Sequence, residues 1–153
     1  MKHTYKTASP EQTIRLGEEI GKRLHGGDVI AYRGGLGVGK TTITRGISTG
    51  LGLGDEVTSP TFALVNEYRK RDCNISLIHF DMYRITSAED LETTGFYDHM
   101  DEDAVLAVEW SENIDDELPE NCIRLTINRL SEDERELILE TADGDDRFED
   151  ISY

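Results

Sequence analysis

With 153 residues and a net charge of −16, the chain is long enough for one substantial core. Its charge has the wrong sign to grip nucleic acid by its own surface field. Cys73 and Cys122 form no metal-ligand spacing and suit a reducing compartment. No apolar run reaches membrane-spanning or signal-peptide form. A cytoplasmic protein with no membrane partner is therefore expected, its many acids forming a solvated surface.

In chain order, residues 5–7 read as a short edge strand. Ser9-Pro10-Glu11-Gln12 reads as a helix start, with Ser9 as N-cap and Gln12 completing a capping box. Ile14, Leu16, Ile20 and Leu24 give that helix an apolar face, and Gly17 and Gly21 permit close packing. Gly26 and Gly27 end it. Residues 28–33 (DVIAYR) read as a buried strand. Residues 34–42 (GGLGVGKTT) follow, then a helix over 42–51 with Ile43, Ile47 and Leu51 on one side. Gly50, Gly52 and Gly54 are expected to break it.

Residues 55–61 (DEVTSPT) form a polar connector, 62–68 (FALVNEY) a strand and 70–74 a turn. Residues 75–80 (ISLIHF) make a nearly continuous apolar run ending at Asp81, the pattern of a central strand. Ser87 starts a short helix that ends at Gly95. Residues 104–108 (AVLAV) are a second apolar run, ending at Glu109-Trp110, and 111–121 form an acidic loop. Ile123, Leu125 and Ile127, then Leu137 and Leu139, alternate with polar residues, which predicts a hairpin with one wet face. The expected fold is an α/β P-loop fold: a mostly parallel central sheet with helices on both faces and a C-terminal antiparallel hairpin. Residues 1–142 read as one domain and 143–153 as an acidic tail that frays.

The chemistry is concentrated at residues 34–42. Gly34, Gly39, Lys40 and Thr41 satisfy G-x-x-x-x-G-K-[ST] between a strand and a helix, the context in which this pattern acts as a phosphate cradle. Glycines allow positive φ and close backbone approach, and the N–H groups converge on phosphate oxygens at a helix N-terminus. Gly35, Gly37, Val38, Gly39, Lys40, Thr41 and Thr42 are thus the candidate nucleotide-binding residues. Lys40 meets the β- and γ-phosphates, and the Thr41 hydroxyl is a candidate Mg²⁺ ligand. Hydrolysis also needs a carboxylate at a neighbouring strand end, and both Asp81 and Glu109 qualify. Spacing does not divide the metal and water roles between them.

Weaker features stay open. Thr58, Ser59 and Thr61 either sense the γ-phosphate or form turns. His79 reads as a satisfied core histidine rather than a catalyst. Trp110 can stack on a base or a partner, or simply pack. Arg84 and Arg135 can meet phosphate or pair with carboxylates; pairing is the simpler reading, with Arg135 kept as a candidate nucleotide contact.

The blocks GGLGVGKTT, SPTFALVNEY (59–68), HFDMYR (79–84) and VEW (108–110), together with Gly95, resemble the TsaE (YjeE) family. These are small ATPases of bacterial tRNA threonylcarbamoyladenosine synthesis. The resemblance runs from about Ser9 to the final hairpin. Met82 stands where leucine is usual, and the acidic loop and tail match nothing in the family pattern. The resemblance implies a weak ATPase stimulated by two partners, TsaB and TsaD, with tRNA held only by those partners. It also implies ATP and Mg²⁺ as cofactors, Thr41 and Glu109 as metal ligands, Lys40 on the phosphates, Asp81 in hydrolysis and the SPTF segment as a switch. Two rivals are a small-molecule P-loop kinase, which needs an arginine-bearing lid, and a non-catalytic nucleotide sensor. A GTPase lacks support because no Asn-Lys-x-Asp motif is present.

Overall fold

The computed structural model describes residues 1–35, 37–60, 64–100 and 103–153. Among the described residues seven strands form one sheet: β1 (Lys2–Thr7), β2 (Val29–Arg33), β3 (Val65–Tyr68), β4 (Ser76–Asp81), β5 (Ala104–Glu109), β6 (Ile123–Arg129) and β7 (Arg135–Glu140). Their spatial order is β1-β7-β6-β2-β5-β4-β3. The four middle strands, β6, β2, β5 and β4, run parallel. The β6–β7 hairpin, β1 and β3 pair antiparallel at the flanks. Strands β4 and β5 are buried at every position, as their unbroken apolar runs require. β4 stands one strand in from the edge rather than at the centre.

Helices α1 (Pro10–Arg23) and α2 (Lys40–Gly50) cover one face. Ser9 caps α1 by accepting from the Gln12 N–H, while the Gln12 side chain reaches back to the Ala8 N–H, one residue beyond the reciprocal capping box. The two helices meet through glycines. A Cβ on Gly17 would lie 2.6 Å from the Ile43 carbonyl oxygen, and one on Gly46 would lie 2.9 Å from the Gly17 Cα. Gly21 and Gly50 form a second such pair one turn along. Gly50 therefore belongs to α2 and serves its packing; the expected break falls at Leu51, before Gly52 and Gly54, both at positive φ.

The other face is covered over only part of its width. Helix α3 (Ala88–Thr93) and two 3-10 turns, Tyr97–His99 and Ser111–Glu117, bury Leu91, Phe96 and Ile114 against Ile78, Phe80, Leu106 and Val108. Beneath β6 and β7 this face carries Arg124, Thr126, Asn128, Glu136 and Glu140, none of them buried, as the hairpin alternation predicts.

The C-terminal tail departs from expectation. Residues 143–153 do not fray: Phe148 is buried in the α1–α2 core. Its carbonyl accepts from the Tyr5 hydroxyl, and Tyr153 Oη bonds the backbone of Lys6 on β1. Arg147 forks onto Asp28 and Asp145 at 2.7 and 2.9 Å. One aromatic plug and one arginine clamp outweigh the acidic composition from which fraying was read.

Candidate active site

The site is built where β2 ends and α2 begins. β2 enters the loop at Gly34, whose φ is +143°; a side chain there would meet the Ile127 carbonyl oxygen at 2.7 Å. Gly39 holds the left-handed N-cap position of α2 with no side-chain cap, so the first-turn N–H groups face outward as an anion site does. Leu36, inside the loop, lies outside the described residues, as do Thr61 and Phe62 of the SPTF segment and Ala63 after it.

Lys40 opens α2 and is 6% exposed. Its Nζ lies 3.6 Å from Glu109 Oε1, 3.4 Å from the Gly34 carbonyl oxygen and 5.0 Å from the Trp110 ring centroid. A charge this buried requires partners, and Glu109 is the charged one. A buried hydrogen-bond column fixes the backbone below it. Thr44 Oγ1 donates to the Lys40 carbonyl at 2.6 Å and lies 2.7 Å from the Tyr32 hydroxyl. With its one hydrogen spent on Lys40, Thr44 accepts from Tyr32. Burial pushes the Tyr32 phenol up, keeping it protonated for that role.

Both carboxylates come from adjacent parallel strands. Asp81 ends β4 and Glu109 ends β5, directly opposite each other in the register. Asp81 is 4% exposed, and its Oδ1 accepts from the Tyr83 N–H at 2.9 Å. Asn113 braces that turn by donating to the Met82 and Tyr83 carbonyls. Glu109 faces Lys40 through Oε1 and His79 Nε2, at 2.6 Å, through Oε2. Burial alone would raise the Glu109 carboxyl, but the imidazole and the ammonium outweigh it and hold it below its ordinary value. The chain then turns sharply: Trp110 adopts φ +57°, at a cost of about 1–2 kcal/mol for a non-glycine residue. That turn lays the indole against Tyr83, with ring centroids 4.9 Å apart.

These groups open into a cleft of about 260 Å³ lined by Gly37, Gly39, Lys40, Thr41, Thr42 and Glu109, with Ser59 and Trp110 at its wall. Four other sequence candidates do not line it. Gly35 stands exposed at the loop's outer edge. Val38 turns its carbonyl to Arg135 Nε at 2.8 Å, and Asp81 sits beside the cleft. Arg135 braces the hairpin turn through the Ser131, Glu132 and Glu134 carbonyls and lines a smaller hollow with Thr13, Gly39 and Thr42. Arg135 thus binds backbone carbonyls rather than the carboxylate expected of it, and exposed Arg84 makes no ion pair among the described residues. Thr58 is tied to β3 through Tyr68 and Asn66. Sequence reasoning missed the bracing residues Tyr32, Thr44, Asn113 and Ser111, whose buried Oγ donates to the Tyr32 carbonyl at 3.0 Å. Only Thr44 carried a signal, a hydroxyl one helical turn after the loop lysine.

A glycine loop joining a buried strand to an uncapped helix, beside parallel strands ending in carboxylates, defines a P-loop fold. The model of the family described as "Threonylcarbamoyl adenosine biosynthesis protein TsaE" matches residues 7–137. The tRNA threonylcarbamoyladenosine biosynthesis protein TsaE of Treponema pallidum is 36% identical over 84% of this chain and 93% of its own length. The protein of the same name from Bacillus subtilis is also 36% identical, over 87% and 82%. The crystal structure of YdiB from Bacillus subtilis superposes with a TM-score of 0.74 at 30% identity, over 92% of this chain and 86% of that one. The chain belongs to the TsaE family, whose members take part in tRNA threonylcarbamoyladenosine biosynthesis. Among the described residues no helix is long and apolar enough to cross a membrane.

Proposed function

We propose that this protein binds ATP with Mg²⁺ and hydrolyses it in the cytoplasm as an accessory subunit of the tRNA position-37 modification machinery. Hydrolysis supports turnover of a TsaB–TsaD transferase, and those partners hold the tRNA. The observation that carries this reading is the Lys40–Glu109 pair, 3.6 Å apart at the mouth of the glycine loop, with Asp81 in register beside it.

The residues fit the metal. Thr41 and Glu109 bring two hard oxygens to one cleft, and Mg²⁺ characteristically takes one or two protein oxygens with phosphate and water completing the shell. When bound, it supplies charge neutralisation on the phosphate oxygens. The chain's own groups do the rest. The loop N–H groups and Lys40 take the phosphates, and Lys40 gives up Glu109 as it does so. Asp81, with Oδ1 held by the Tyr83 N–H, keeps Oδ2 for orienting the attacking water and receiving its proton. Arg135 holds the Val38 carbonyl and so keeps the loop open toward the nucleotide.

The test is steady-state ATP hydrolysis by wild type and by Asp81→Ala, alone and with TsaB and TsaD from the same source. The expected result is slow turnover alone, a sharp rise with partners and loss of that rise in Asp81→Ala. No hydrolysis by wild type in any mixture would overturn the reading.

A further inference from the structure

Among the described residues, His79 stands out as a titratable group completely buried beside the site. Its exposure is 0%, and it shares its strand with Leu77, Ile78 and Phe80, all equally buried. Neither ring nitrogen makes a well-aligned hydrogen bond among the described residues, although Nε2 lies 2.6 Å from Glu109 Oε2. That distance is within hydrogen-bonding range. A ring placed only to fill the core would have no reason to be polar there, since buried polar groups are normally satisfied. The Tyr32 ring meets the imidazole edge-on with centroids 6.2 Å apart, which restrains its tilt. His79 and Asp81 are two residues apart on β4 and face the same side, so the imidazole lies beneath the row that carries Asp81 and Glu109.

We infer that His79 is a positioning residue: its Nε2 anchors Glu109 Oε2, leaving Oε1 as the oxygen that faces the cleft. In this structure Oε1 faces Lys40 at 3.6 Å. When Lys40 turns to phosphate, the anchored carboxylate stays in place to present Oε1 to the metal. Without the anchor, the carboxylate rotates about its last bond and follows the ammonium. Outer partners that orient a ligating group typically alter metal affinity 10- to 100-fold when removed. The inference rests on the nucleotide–metal reading above and adds to it a division of labour between the two oxygens of Glu109.

The test needs no turnover. ADP affinity of the full-length protein is measured by calorimetry with Mn²⁺ and again with EDTA, and the ratio gives the metal's contribution. In His79→Leu, which keeps the bulk and loses the donor, that ratio falls about 10-fold or more while affinity in EDTA is unchanged. His79→Gln, whose Nε2 reaches the same place, restores most of it; His79→Asn, one bond shorter, does not. In a Glu109→Gln background His79→Leu removes nothing further. Should His79→Leu fail to fold, the Gln-against-Asn difference decides. An undiminished ratio in His79→Leu, equal losses in Gln and Asn, or equal losses with and without metal would overturn the positioning role. A wild type with no metal contribution would overturn the nucleotide–metal reading itself, and this inference with it.

Discussion

At the scale of single residues, the site is a balance of a few buried charges. Lys40 and Glu109 face each other at 3.6 Å, and under the proposed function a phosphate competes for the lysine, so each residue has a separable signature. Removing the Lys40 ammonium deletes charge-assisted hydrogen bonds worth about 1.5–3 kcal/mol. Lys40→Ala should therefore weaken ATP binding about 10- to 100-fold by calorimetry. Asp81 is braced by the Tyr83 N–H and is not among the residues that line the cleft. Asp81→Ala should leave ATP affinity within about 2-fold while lowering partner-stimulated turnover by about 10²–10⁴, the usual range for a positioned base. Matching losses in binding for the two variants would contradict this division. The two candidate acids were legible because each ends an apolar run, and the register sets them side by side. The side of the balance supplied by His79 was not, since a histidine within ISLIHF looks like any other core position until its neighbour on β5 is known.

At the scale of elements, two devices set the geometry. The α1–α2 crossing depends on Gly17, Gly21, Gly46 and Gly50 standing against one another's backbone. Replacing a mid-helix glycine by alanine ordinarily gains about 1 kcal/mol. At Gly17 the new Cβ would instead stand 2.6 Å from the Ile43 carbonyl, and overpacking typically costs about 1–3 kcal/mol. Gly17→Ala should lower the melting temperature, whereas Gly35→Ala, with nothing within 4 Å of its added Cβ, should leave it nearly unchanged. The sequence showed two glycines on α1 but assigned Gly50 to a helix break. Glycine's two uses, ending a helix and admitting a neighbour, cannot be told apart without the partner helix.

The second device is the tail. Phe148→Ala should cost about 3–5 kcal/mol in chemical denaturation, as large core truncations do. The clamp has a pH signature. The Arg147 guanidinium holds the Asp145 carboxyl below its ordinary value of 3.8. A depressed folded-state pKa contributes stability that is complete above the unfolded value and is lost as pH falls through the folded one. The melting-temperature gap between wild type and Asp145→Asn should thus be constant near neutrality and close below about pH 4. A gap that widened on acidification would contradict the clamp. Composition alone concealed this, because Asp28 and Asp145, the two that Arg147 grips, look like any other of the chain's 32 acids.

At the scale of the whole molecule, a chain of net charge −16 carries its glycine loop between a two-helix layer and the open ends of four parallel strands. The fold was legible in nearly every element, since strand periodicity, the loop motif and the hairpin alternation all agree with one topology. Its asymmetry was not, because the partial cover over the second face depends on where short 3-10 turns fall. Family membership brings the tRNA-modification context, and the acidic surface suits a subunit that leaves RNA to its partners. A small-molecule kinase would need a lid arginine near the loop; Arg135 is instead committed to the carbonyls of Val38 and the hairpin turn.

The most direct test of the account is ATP turnover by the purified full-length chain, measured alone and with TsaB and TsaD from the same source, with GTP as the comparison. Slow hydrolysis of ATP alone, a large rise with both partners and little use of GTP are expected. Fast turnover without partners, a preference for GTP, or no hydrolysis under any of these conditions would contradict it.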